Sequence, residues 1–176
     1  LELLGRMEQD GPMPDVVSYS TAAAACQKAK HWEPAVGLLQ RLNASASGAA
    51  ADEDDGARGH GARVPLPAPN VFTYTSAVVA LAEAGRWREA VSTYEAMPPQ
   101  LEPNEAIVNA AVSAAAAGAD WRTATRILEE ALGAGLVPRT SSFNMAFNAL
   151  AHGHQPAAAL ALLRRMLSVG ARPNLL

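Results

Sequence analysis

Hydrophobic residues between positions 69 and 97 fall into two runs separated by a short polar break. The first run is densest at positions 78–81, and the second, which begins at Trp87, recurs at helical spacing. The break contains Gly85, a residue typical of helix ends and tight turns. The stretch therefore predicts two helices joined by a turn. Two short helices cannot bury their apolar faces alone, so this hairpin must pack against another element.

The same pattern recurs along the chain at intervals of 34 or 35 residues, with one longer interval of 55 near the start. Proline followed by a polar residue closes each block, at Pro14, Pro69, Pro103, Pro138 and Pro173. Alignment on these prolines places all three tryptophans in one column, namely Trp32, Trp87 and Trp121, and Pro156 holds that place in the last block. Alanine shares further columns, such as Ala22, Ala77, Ala111 and Ala146. The chain is therefore an array of repeats.

Each block predicts one helical hairpin. First helices are expected at 17–29, 72–84, 106–117 and 141–152, and second helices at 32–42, 87–97, 121–132 and 156–167. Asp120 is an expected N-cap, and Pro156 suits a first helical turn. We predict an all-α fold, an α-solenoid of tandem helix-turn-helix repeats. Residues 1–15 are the tail of a preceding repeat, and repeats one to four follow at 16–70, 71–104, 105–139 and 140–174.

The long interval comes from an insertion at 43–68 within repeat one, rich in alanine, glycine and serine. We expect a disordered surface loop there. Its acidic run at 52–55 supplies carboxylates, which can coordinate a hard cation. Such a run is most often a solvated surface segment, so no metal site is predicted.

Composition and charge limit the classes of fold and of binding partner that the sequence allows. The chain has 176 residues, a formal charge of −3 and 49% apolar but only 5% aromatic residues, which favours closely packed helices. Cys26 is the single cysteine and excludes an internal disulfide. The negative charge gives no electrostatic argument for nucleic-acid binding. No segment is apolar enough to span a bilayer, so no membrane partner is predicted. The sequence starts at Leu1, and a targeting peptide is not among these residues.

The openings PDVVSYST and PNVFTYTS and the endings GLVPR and GARPN resemble pentatricopeptide repeats across nearly the whole chain outside 43–68. The resemblance implies an RNA-binding array without catalytic residues or cofactors, which contacts single-stranded RNA at one base per repeat. It also implies an organellar location, in the chloroplast or mitochondrion, and a role in RNA processing, stability, editing or translation. Protein partners in an organellar RNA-processing complex are a further implication.

In that family the residues that read the bases are the fifth and the last of each repeat. By resemblance these pairs are Ser20 with Asn70, Thr75 with Asn104, Asn109 with Arg139, and Asn144 with Asn174. Family preferences imply a purine, adenine above all, for the first two pairs and a pyrimidine for the last pair. The third pair departs from the usual combinations and is assigned no base.

Apolar residues at the second place of each repeat sandwich the base in the family. Val17 and Phe72 fit this role, whereas Ala106 and Ser141 are small. Lys28, near the end of a first helix, is the candidate phosphate contact, and its column is not basic in the other repeats. Because phosphate contacts supply much of the affinity for RNA, we expect weak binding from these repeats alone.

Three alternatives compete with these assignments. The tryptophan column is expected to pack between hairpins, with base stacking as the alternative. The hydroxyls of Ser20 and Thr75 lie in a first helical turn, where they could cap backbone N–H groups instead of reading bases. The alternative function is a protein-binding α-solenoid scaffold, favoured by the alanine-rich grooves, the near-neutral charge outside the insertion and the degraded repeats three and four.

Overall fold

A computed structural model describes residues 14–46 and 66–171, and every regular element in these ranges is an α-helix. In chain order the helices are α1 (Val16–Lys28), α2 (Trp32–Ala46), α3 (Val71–Glu83), α4 (Trp87–Glu95), α5 (Glu105–Ala117), α6 (Trp121–Gly133), α7 (Thr140–His152) and α8 (Pro156–Ser168). Each begins within one residue of its predicted start, which confirms the all-α prediction. No helix in these ranges is both long and apolar enough to cross a membrane.

Two helices end more than one residue away from their predicted ends. The helix α2 continues to Ala46, four residues past the predicted end, because Asn43 and the small residues after it contain no helix breaker. The helix α4 ends at Glu95, two residues early, because Pro98 disfavours helical backbone at the residue before it. The predicted tail at 1–15 and insertion at 43–68 lie mostly outside the described residues.

The chain divides into two compact units, with the boundary between Ala77 and Val78, inside α3. In the first unit α1 packs on α2, and the core consists of Tyr19 and Ala23 against Leu38 and Leu42. The start of α3 is tied to α2 by the Tyr74 hydroxyl, which donates to Asn43 Oδ1 at 2.9 Å. The column of Tyr19 and Tyr74 is thus a packing column.

In the second unit successive hairpins pack in the order expected of a repeat array. The helix α5 contacts α4, its own partner α6 and the next first helix α7, and α7 contacts both α6 and α8. Val108 and Phe143, which occupy the tyrosine column, are fully buried. Alanines of the predicted close-packing columns, Ala111 and Ala146, are buried with them, so small side chains allow these helices to approach.

The four first helices end in the same left-handed turn. The residue two before each second helix has positive φ: Lys30 (58°), Gly85 (74°), Ala119 (57°) and His154 (51°). In each turn the following N–H bonds to a carbonyl five residues earlier, as Asp120 N does to Ala115 O at 2.9 Å. This is the Schellman pattern. It fixes the angle between the two helices of each repeat, even where glycine is absent.

Trp87 and Trp121 pack against the next hairpin. A Cβ added to Gly118 would lie 2.3–2.6 Å from ring atoms of Trp87, and one added to Gly153 would lie 2.5 Å from Cδ1 of Trp121. Both glycines have ordinary negative φ, so the ring, not the backbone, requires them. For Trp87 and Trp121 the packing interpretation is therefore confirmed over base stacking.

Candidate nucleic-acid interface

Three last-place residues lie directly before the next first helix and act as its side-chain N-cap: Asp15, Asn70 and Asn104. Asp15 Oδ1 accepts from Ser18 N at 2.8 Å, Asn70 Oδ1 from Thr73 N at 3.0 Å, and Asn104 Oδ1 from Ile107 N at 2.9 Å. These bonds satisfy N–H groups that the helix leaves without partners. The backbone and hydroxyl of Ser18 lower the pKa of Asp15. The cap fixes the side chain of each last-place residue in one orientation.

Repeat one brings its two predicted reading residues together. The Ser20 hydroxyl lies 3.2 Å from Asn70 Oδ1 and 2.7 Å from the carbonyl oxygen of Val16. Asn70 Oδ1 also accepts from the Thr73 hydroxyl at 3.0 Å. The amide oxygen of Asn70 is therefore directed into the protein, and its amide nitrogen becomes the donor that the pair presents.

The second-place residues of repeats one and two are exposed. Val17 and Phe72 each expose 67% of their surface, in the first turns of α1 and α3. The other apolar residues of α3 are buried or partly buried, so Phe72 is the exposed apolar side chain of this helix. Lys28 is exposed at the far end of α1, about 12 Å along the axis from Ser20 at 1.5 Å per residue.

The hydroxyls of Ser20 and Thr75 donate to backbone carbonyls, and the N-caps of their helices are other residues. Each donates at 2.7 Å to the carbonyl four residues earlier, Val16 for Ser20 and Val71 for Thr75. The capping alternative for these two residues is therefore wrong, because the last-place residues Asp15 and Asn70 already supply the caps. A hydroxyl that donates its proton to a backbone carbonyl can still accept a hydrogen bond through the oxygen lone pairs that face solvent.

Repeat three is arranged differently. The Ser142 hydroxyl, at the third place of repeat four, donates to Asn109 Oδ1. Arg139 Nε donates to the carboxylate of Glu105, the first residue of the same repeat. Arg139 makes no side-chain cap for α7, and Ser142 N bonds to its carbonyl oxygen at 2.9 Å instead. The pair Asn109–Arg139 is thus engaged with two other residues.

The remaining predicted residues form no described pair. Asn144 is half-buried on α7, and its partner Asn174 lies outside the described residues. Ala106 and Ser141, the small second-place residues, are exposed like Val17 and Phe72. The second places of all four repeats are thus solvent-exposed, whatever their side-chain size.

Among residues 14–46 and 66–171 no three His, Cys, Asp or Glu side chains are grouped as metal ligands. An open cavity of about 450 Å³ lies in the second unit, lined by Tyr94, Pro98, Leu101 and Arg126 among others. Burial raises the pKa of Tyr94, while hydrogen bonding to Glu130 raises that of Arg126. The cavity involves none of the predicted reading residues.

Sequence reasoning missed Glu105 and Ser142, which bond to the reading pair of repeat three. A partial signal exists, because Ser18, Thr73 and Ser142 each lie three residues after a last-place residue, as in an N-capping motif. That spacing indicates a hydroxyl close to the last place. It does not show that the hydroxyl of Ser142 crosses to another repeat.

Comparisons with known proteins find one matching repeat and a similar fold. Residues 72–98, most of repeat two, match the family model of the PPR repeat. A search of curated protein sequences finds no match. The chain is similar to the crystal structure of the pentatricopeptide repeat protein PPR10 from maize, with a TM-score of 0.64 and 15% identity over 97% of this chain and 22% of that one.

It is also similar to PPR10 in complex with an 18-nt psaJ RNA element, with a TM-score of 0.66 and 18% identity over 98% of this chain and 23% of that one. A cysteine-substituted PPR10 in the same kind of complex gives 0.65 and 18%, over 98% and 22%. The chain thus spans under a quarter of the length of these proteins. The similarity confirms the predicted α-solenoid of helical repeats. One of its repeats thus matches the PPR repeat, and its fold is similar to that of these pentatricopeptide repeat proteins.

Proposed function

We propose that the chain binds single-stranded RNA and that repeats 16–70, 71–104, 105–139 and 140–174 are its reading units. The observation that carries the proposal is the contact of Ser20 with Asn70, flanked by the exposed Val17 and Phe72. These residues hold the fifth, last and second places that the family uses. Fold similarity to a protein crystallised with an RNA element supports the same function.

The hydrogen-bond polarity of repeat one favours adenine. Ser20 donates to the backbone and so offers an acceptor outward, while Asn70 offers its amide hydrogens as donors. Adenine presents an exocyclic amino donor beside a ring-nitrogen acceptor, which is the complementary arrangement. A uracil edge carries the opposite polarity at these two places. Repeat one therefore discriminates between the two bases through both of its reading residues.

Val17 and Phe72 supply the stacking surfaces on either side of that base. Both are apolar, and a base would cover surface that now contacts water. Stacking of a base on an aromatic ring contributes about 1–3 kcal/mol without regard to sequence. We therefore assign affinity to Val17 and Phe72, and base preference to Ser20 and Asn70.

We further propose that the protein acts in a chloroplast or mitochondrion, in RNA processing, stability, editing or translation, with protein partners of an RNA-processing complex. The family resemblance supports this role. At about 1–3 kcal/mol of discrimination per well-read base, two or three competent repeats cannot select one transcript, so repeats beyond these residues would set the target.

The test is fluorescence anisotropy of the 176-residue chain with short RNAs at low salt, with adenine or uracil opposite repeat one. We expect tighter binding to adenine by about tenfold, equal to 1.4 kcal/mol. Phe72→Ala should weaken binding to both RNAs, whereas Leu160→Ala, which truncates a residue that is 58% exposed on the second helix α8, should not. Equal weakening by both variants would contradict the assigned surface.

The alternative function, a protein-binding scaffold, is favoured by one observation, the cavity beside Tyr94 and Leu101. Its apolar and proline residues, with Glu95, Arg126 and Glu130 beside them, fit an apolar side chain of a protein partner that also carries a polar group. A stoichiometric partner that survives RNase treatment and is lost on Leu101→Glu would support it. Retention of that partner by the variant would exclude the cavity as its site.

A further inference from the structure

Arg139 breaks the rule that a last-place residue caps the next helix. Asp15, Asn70 and Asn104 each accept a backbone N–H three residues later. A guanidinium has no acceptor, so α7 begins without a side-chain cap. The Arg139 side chain instead pairs with Glu105, at the start of the preceding first helix. Its position is therefore set by a carboxylate and not by the helix that it precedes.

The missing cap also changes the bonding of Asn109. The hydroxyls of Ser18 and Thr73 bond to their own cap residues, Asp15 and Asn70. Ser142 is their equivalent in repeat four, and it donates to Asn109 of repeat three. Each reading residue of repeat three is thus held by a different neighbour. The two-residue edge that repeat one offers to a base is not formed there.

The ion pair that holds Arg139 is exposed and exchangeable. The Arg139 side chain is 70% exposed and that of Glu105 is 42% exposed. Ion pairs at such exposure contribute little to stability and are screened by salt. A phosphodiester offers the guanidinium the same paired oxygens as a carboxylate. RNA can therefore replace Glu105 at little cost to the protein.

We propose that Arg139 contacts an RNA backbone phosphate and not a base, and that Glu105 is its counter-ion in the unbound protein. Repeat three is then a step at which the RNA is held but not read. This inference rests on the proposed RNA-binding function. It also supplies a phosphate contact in a chain whose net charge is −3.

The salt dependence of binding tests the assignment. One phosphate contact to single-stranded RNA contributes about 0.7 to the slope of log affinity against log salt. Arg139→Gln in the 176-residue chain should reduce the magnitude of that slope by about 0.7, and weaken binding roughly fivefold at low salt for every base opposite repeat three. Glu105→Gln should strengthen binding roughly twofold to threefold, because the competing carboxylate is gone.

Two controls isolate the pair. Glu89→Gln removes a carboxylate from a similarly exposed ion pair with Arg86 on the second helix of repeat two, and should leave affinity unchanged. The gain from Glu105→Gln should disappear when Arg139 is also replaced by glutamine. If that gain persists, Glu105 acts by general repulsion of RNA and the proposed exchange is wrong.

The outcomes separate this inference from the function on which it rests. If Arg139→Gln leaves the salt slope unchanged but alters the base preference opposite repeat three, Arg139 reads a base, and RNA binding stands without the inference. If the unmodified chain binds no RNA at low salt, both fall. A reduced slope with unchanged base preference supports the phosphate contact.

Discussion

Repeats one and three carry different residues at the same last place, and their reading pairs are built differently as a result. Asn70 caps the next helix and contacts Ser20. Arg139 does neither, and it extends to Glu105. In our proposal the last-place residue therefore has two tasks, to cap the next helix and to present an edge to a base. Whatever caps the next helix also orients the edge offered to a base, so a residue that cannot cap loses the pair as well.

The tryptophan packing is the same in repeats two and three, although their last-place residues, Asn104 and Arg139, differ. Trp87 lies on Gly118 and Trp121 on Gly153, in the same register in successive hairpins. Repeats two and three therefore share this packing, while the surface that faces RNA in our proposal varies.

The largest expected effect on the free energy of unfolding comes from disrupting the tryptophan–glycine packing that repeats two and three share. Gly118→Ala places a methyl group within 2.6 Å of the Trp87 ring, whose centroid also lies 4.4 Å from the guanidinium of Arg88. The ring must move, and overpacking of this kind costs about 1–3 kcal/mol of unfolding free energy. Urea denaturation would measure the loss as a lower midpoint.

The matched control is Gly133→Ala. Gly133 ends α6 with nothing within 4 Å of an added Cβ. Alanine there should stabilise the helix by about 0.5–1 kcal/mol. If both variants moved the midpoint in the same direction, the close approach of Trp87 would not be what requires glycine at position 118.

Helices and turns were predictable because the repeat register averages over several copies of the same signal. Asp120 caps α6 as expected, through Thr123 N at 3.1 Å, and Pro156 lies in the first turn of α8. The ends of α2 and α4 were less accurate, since each depends on local residues that the other repeats do not share. Periodicity locates an element better than it locates its last residue.

A second, smaller effect would make repeat one resemble repeat three. Asn70→Arg removes the cap of α3, the acceptor of the Thr73 hydroxyl and the amide that lies beside Ser20. We expect a loss of about 1 kcal/mol in unfolding free energy, as for other lost N-caps. We also expect the adenine preference opposite repeat one to disappear. Urea denaturation and anisotropy with adenine and uracil RNAs measure the two effects separately.

The reciprocal change, Arg139→Asn, should act in the opposite direction. Asparagine can cap α7, which now begins without a side-chain cap, and should add about 1 kcal/mol of unfolding free energy. The Ser142 hydroxyl would then have a cap residue to bond, as Thr73 does. If Asn70→Arg retained the adenine preference, Ser20 would read the base alone. Base preference would then not require the pair of fifth-place and last-place residues.

The proposed reading surface was only partly predictable. Family resemblance named Ser20 and Asn70, and the structure brings them together. Neither resemblance nor spacing indicated that Asn109 bonds to Ser142. That contact depends on how two hairpins pack and on the lack of a side-chain cap at Arg139. Local patterns describe each repeat alone, whereas this contact arises between repeats.

The smallest effect is a pH dependence that distinguishes the second-helix cap Asp120 from amide caps such as Asn70. The Thr123 hydroxyl, at 2.7 Å, and its backbone N–H lower the pKa of Asp120 from its ordinary 3.8, with a smaller contribution from Arg122. A carboxyl whose pKa is lower in the folded state stabilises the protein above its unfolded pKa, and this stabilisation is lost as pH falls through the folded pKa. Asp120→Asn keeps a cap that does not titrate.

We therefore expect the difference in unfolding free energy between the original chain and Asp120→Asn to be constant above about pH 5 and to shrink below about pH 4, in favour of the variant. Urea denaturation at a series of pH values measures it. Asp15, whose pKa is also lowered, is present in both proteins and cancels. A difference that stayed constant down to about pH 2 would mean that the Asp120 cap works without its charge, as an amide cap does. In that case the caps of first and second helices would be equivalent, and only the absence of a cap at Arg139 would distinguish repeat three.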